Sequence, residues 1–65
     1  MNRCFLIKAI DDLYGEIYLA DVGENTCFNP DIDDAYVFDN HSEALSTMDE
    51  LKHNFPKYSF RLVVK

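Results

Sequence analysis

Residues 40–56 read NHSEALSTMDELKHNFP, and the rest of the fold can be worked out from this stretch. Asn40 belongs to the residue types that cap helix N-termini, and Glu43 three places later completes a capping-box pattern. Ala44, Met48, Leu51 and Phe55 follow at spacings of four, three and four, with Leu45 beside the same stripe. These five are expected to be buried. Ser42, Glu43, Ser46, Asp49, Glu50 and His53 fall mainly on the wet side, and Lys52 in the last turn suits the helix dipole. Pro56 ends the pattern. The spacing predicts a helix over 41–54, and a single apolar stripe needs a second layer to cover it.

Strands supply that layer. Residues 3–10 read as the first, with Phe5, Ile7 and Ala9 on one face and Cys4, Leu6, Lys8 and Ile10 on the other. Apolar residues on both faces place this strand inside the sheet. Asp11 to Gly15 form a hairpin loop with Gly15 free to take a positive φ. Residues 16–22, rich in Ile17, Tyr18, Leu19 and Val22, form the returning strand. Turn residues Gly23, Asn25, Asn29 and Pro30 punctuate the next stretch, in which 26–28 suggest a short extra strand. Residues 35–38 have good β propensity. In the last strand, 59–64, Phe60, Leu62 and Val64 face inward and Ser59, Arg61 and Val63 outward. The expected fold is a small two-layer α+β domain spanning all 65 residues. Its mainly antiparallel sheet of three to five strands carries one helix on one face, in the order β-β-(β)-β-α-β.

The charges are distributed unevenly. Twelve acids against six bases give a net charge of −6. Every Asp and Glu lies between Asp11 and Glu50, and every Lys and Arg lies outside that window. Most soluble surfaces intersperse the two signs, because like charges on a compact body repel. The apolar run at 4–7 is interrupted by Lys8 and closed by Asp11 and Asp12, which suits neither a signal peptide nor a membrane span. The expected compartment is the cytoplasm, with Cys4 and Cys27 as reduced, partly buried thiols.

Familiar chemistry is not encoded. Counted from Asp31 as a calcium loop, position five is Ala35, position six is Tyr36 in place of glycine, and position twelve is Ser42 in place of Glu. Cys4, Cys27, His41 and His53 lack the close pairs of a zinc site. Asp39, His41 and Ser42 are neighbours in sequence, but at a helix start they are cap residues. No phosphate loop, nucleophile elbow or metalloprotease motif occurs. No cofactor, metal or catalytic residue is expected, and an enzyme is the least expected class. Direct nucleic-acid binding is opposed by the scarcity of cations to neutralise phosphates.

The same scarcity suggests the converse role. A surface resembling a phosphate backbone docks where nucleic acid docks. Asp31 and Asp33, two apart in an extended segment, would share a face about 6.6 Å from each other. Asp34, Asp39, Asp21 and Glu24 are close in sequence. Tyr14, Tyr18 and Tyr36 are candidate anchors, of which Tyr36 lies nearest the acidic block. The expected partner-binding set is Asp21, Glu24, Asp31, Asp33, Asp34, Tyr36 and Asp39.

A tiny chain, the acidic block Asp31-Ile32-Asp33-Asp34 and a strand-cap-helix-strand run over 36–64 together resemble the small acidic inhibitors that bacteriophages and mobile elements encode against host machinery. Anti-CRISPR and anti-restriction proteins and a phage inhibitor of bacterial RNA polymerase belong to that group. The resemblance implies a phage-type inhibitor acting in the host cytoplasm, an anti-CRISPR protein working as a DNA mimic. It assigns no residue a role, since these inhibitors share no diagnostic motif. The expected partner is a basic, nucleic-acid-binding host protein or complex, bound by a monomer with no membrane contact. The alternative is a small interaction module, such as an antitoxin or accessory subunit, whose acidity serves solubility.

Overall fold

The computed structural model describes residues 3–13, 15–23 and 25–64. Strand β1 (Phe5–Asp11) is followed by β2 (Gly15–Asp21) and β3 (Cys27–Asn29), a 3₁₀ turn (Ile32–Asp34), helix α1 (His41–Asn54) and β4 (Ser59–Val64). The strands form one antiparallel sheet in the order β3-β2-β1-β4. The apolar character of both faces of β1 is explained by its central place, where Leu6 and Ile7 are both fully buried. The hairpin closes on the pair Asp11–Gly15, with Gly15 at a φ of 75°, a conformation that a side chain would strain.

Helix α1 has the expected limits, and its cap explains its start. The Asn40 side chain accepts from the backbone N–H of Ser42 at 2.8 Å and of Glu43 at 3.3 Å. Ala44 and Leu51 are buried, and Met48 and Phe55 pack partly buried against the core. Leu45 departs from expectation: it is 41% exposed. One residue beyond Ala44 it is turned about 100° around the helix, off the sheet-facing line.

The core lies between α1 and one sheet face, where Ile7, Ala9, Ile17, Leu19, Phe38, Ala44, Leu51 and Phe60 meet. Because α1 lies over β4 and β1, aromatic rings close the β3 side. Phe28 stands edge-on to Phe55 and to Tyr58, each at 5.5 Å, and 6.2 Å from Phe60. In β4, Phe60 and Leu62 follow the expected inward phase, but Val64 is 58% exposed, and Val63 is half-buried on the far face.

Residues 35–38 do not form the expected strand. β1 and β2 pair only as far as Lys8–Tyr18 and then diverge. The chain enters the gap, with Tyr36 N–H donating to the Leu19 carbonyl at 2.7 Å and Phe38 exchanging both backbone bonds with Phe5 at 2.8 Å. A gap bordered by different strands offers one bridge, not a ladder, so only Phe38 is paired. The optional strand at 26–28 exists one residue later, as β3. Among the described residues no helix is long and apolar enough to cross a membrane.

Candidate partner-binding site

The acidic block is built by local hydrogen bonds. Asn29 Oδ1 accepts from Asp31 N–H at 2.9 Å, and Asp31 Oδ1 in turn accepts from Asp33 N–H at 3.0 Å. These Asx-type bonds wind the chain into the 3₁₀ turn, closed by Asp34 N–H to the Asp31 carbonyl and Ala35 N–H to the Ile32 carbonyl, both 3.1 Å. The extended segment expected at Asp31–Asp33 is therefore absent, and with it the strand-like spacing of their carboxylates. Asp31 caps the turn, and Asp33 and Asp34 stand in its first turn; all three are exposed.

The turn packs beside β2, and the Tyr36–Leu19 bond ties the segment after it to the same strand. Asp21, exposed at the end of β2, accepts from Val22 N–H at 2.9 Å. Tyr36 is half-exposed, its ring 4.9 Å from Phe38 and edge-on to it. Asp39, also exposed, follows the Phe38 bridge and precedes the helix cap. The fold thus gathers Asp21, Asp31, Asp33, Asp34 and Tyr36 around the second half of β2. It sets Asp39 beyond the gap, near the start of β1. Glu24 and Tyr14 lie outside the described residues. Tyr18 is half-buried in β2, paired with Lys8 and Asn29.

Among the described residues no three Asp, Glu, His or Cys side chains converge closely enough to hold a metal ion. The acids line a surface and do not surround a point. Comparison with protein-family models, curated proteins and solved structures gave no match.

Two apolar side chains of this segment were not singled out in the sequence: Ile32, inside the acidic block, and Val37, beside Tyr36. Both are more than two-fifths exposed. An apolar residue flanked by three aspartates was the available signal. Elsewhere, an open cleft of about 640 Å³ is lined by Ile17, Thr26, Cys27, Phe28, Pro30 and Tyr58. It holds the exposed Cys27 thiol, and among the described residues its lining includes neither a histidine nor a carboxylate to serve as base.

Proposed function

We propose that this protein is a non-enzymatic inhibitor that occupies a basic, nucleic-acid-binding surface of a host protein, an anti-CRISPR type of inhibitor acting as a DNA mimic in the cytoplasm. One observation carries the reading. Within a 40-residue window free of cations, every described acid except Asp11 is exposed, and only Glu16 is in an ion pair among the described residues, with Lys8 at 3.3 Å. Carboxylates without a cation beside them repel one another and lower stability. A basic partner relieves that repulsion, as it does for the phosphates of a duplex.

Asp21, Asp31, Asp33, Asp34 and Asp39, with Glu24 near in sequence, supply the charge in this proposal. Tyr36, Ile32 and Val37 supply the apolar contact that holds a partner once attraction has brought it in. The rival reading, an interaction module such as an antitoxin or accessory subunit, draws support from exposed Leu13, Leu45 and Val64, which lie outside the stretch from Asp31 to Asp39.

Immobilised protein incubated with host lysate tests the proposal by what displaces the retained protein. Duplex DNA should release it. Replacing Asp31, Asp33 and Asp34 together by Asn should slow its association and weaken its binding. Asn also caps, so the 3₁₀ turn survives the change. The helix triple Glu43→Gln, Asp49→Asn and Glu50→Gln should matter less. Equal binding by all three proteins would favour the accessory-module reading.

A further inference from the structure

We propose that two copies of this chain pair edge to edge through β4, with α1 of each copy packed on α1 of the other. The two borders of the sheet differ. β3 is three residues long, shifts register against β2 and is followed by Pro30, devices that discourage further pairing. β4 offers six residues in unbroken register with β1 and has no proline. Which of its backbone groups face outward follows from Phe5. Phe5 bonds Phe38 through both its N–H and its C=O, on the side away from β4, so its pair with Val64 is a non-hydrogen-bonded one. Alternation then turns the N–H and C=O of Phe60, Leu62 and Val64 toward the open border.

The same bonds fix the hand of the structure. The Phe5 side chain points into the helix layer, where its ring meets His41 at 5.1 Å. Seen from that layer with β1 running up, an L-residue so placed directs its N–H and C=O to the right, toward β2. β4 is therefore on the left. Helix α1 also runs up, from His41 beside Phe5, lying over β4 and β1. A right-handed helix with Ala44 and Leu51 on the sheet turns Leu45, Met48 and Lys52 to the left, over the β4 border. The exposed apolar side chains Leu45 and Val64 thus flank the open edge.

A two-fold axis normal to the sheet and centred on Leu62 uses all of these groups. Leu62 faces its own copy and Phe60 faces Val64, so each outward-turned residue gains its bonds. Arg61 stands opposite Val63; centring the axis on Arg61 would set like charges opposite each other. The helix lies about half a strand spacing inside β4 and the axis half a spacing outside it. The two helix axes then come about 9–10 Å apart, within the range of about 8–10 Å at which helices pack. Leu45 and Met48 fill that space. The acidic turns, beside β2, are carried to the two ends of the joined sheet, where they repel least.

Sedimentation equilibrium should give twice the 7.6 kDa mass of the chain at high concentration. Leu45→Lys and Val64→Lys should each return it to the single mass with an unchanged circular dichroism spectrum. Leu13→Lys, on the distant hairpin, should leave the dimer intact. Added salt should strengthen the dimer by screening two copies of the same negative charge, the opposite sign to binding of a basic partner. Should a variant unfold, amide exchange in the unaltered protein decides. The Phe60, Leu62 and Val64 amides should be protected when concentrated and exchange fast on dilution. A single-chain mass at every concentration, a dimer indifferent to both lysines, or fast exchange of these amides in concentrated protein would overturn the proposal.

Discussion

Leu51 is 4% exposed and Leu45, on the same helix, is 41% exposed, although both belong to the apolar pattern read from the sequence. Periodicity gives the direction of a buried stripe but not its width, and α1 lies over β4 and β1 rather than over the sheet centre. Leu45 therefore overhangs the border. Replacing Leu51 with Ala leaves a hole between α1 and the sheet and should cost about 2–5 kcal/mol of stability. Urea denaturation monitored by circular dichroism reads this as a lowered midpoint. For a 65-residue domain with a thin core the variant is expected to be partly unfolded in buffer. An unshifted midpoint would show that Leu51 is not part of the core.

Among the elements, α1, β1, β2 and β4 were legible because each carries a complete signal: a cap with a stripe, or alternation bounded by turns. Residues 35–38 were not. Tyr36, Val37 and Phe38 do favour extended backbone, but whether such a segment becomes a strand depends on a partner edge, and here β1 and β2 leave only a gap. At Asp31–Asp34 side-chain bonds to backbone N–H groups outweighed the extended chain that spacing alone suggested. The accumulation of acids was thus legible but their geometry was not, since composition shows where charge accumulates and not which way it faces. The cysteines follow the same logic. Both were expected to be partly buried free thiols; Cys4 before β1 is half-buried, but Cys27 is exposed because it lies on edge strand β3. A thiol reagent under native conditions should modify Cys27 first and Cys4 more slowly, with both reacting after denaturation. Faster reaction at Cys4 would contradict the packing at the start of β1.

For the molecule as a whole, the segregation of charge matters more than its sum. Exposed carboxylates repel one another across distances that salt screens over roughly 8–10 Å. Raising ionic strength from low to physiological should therefore raise the melting temperature, measured by thermal denaturation at a fixed protein concentration. A lower melting temperature would mean that attractive pairs outweigh the repulsion. The same carboxylates make mimicry of nucleic acid measurable. The dissociation constant for the host protein retained on the immobilised chain should be determined across a salt series, with and without competing duplex DNA. If the acidic surface stands in for a phosphate backbone, affinity falls steeply as salt rises, and DNA excludes the protein from its partner. Salt-independent affinity, or a complex that holds this protein and DNA together, would rule out mimicry of nucleic acid.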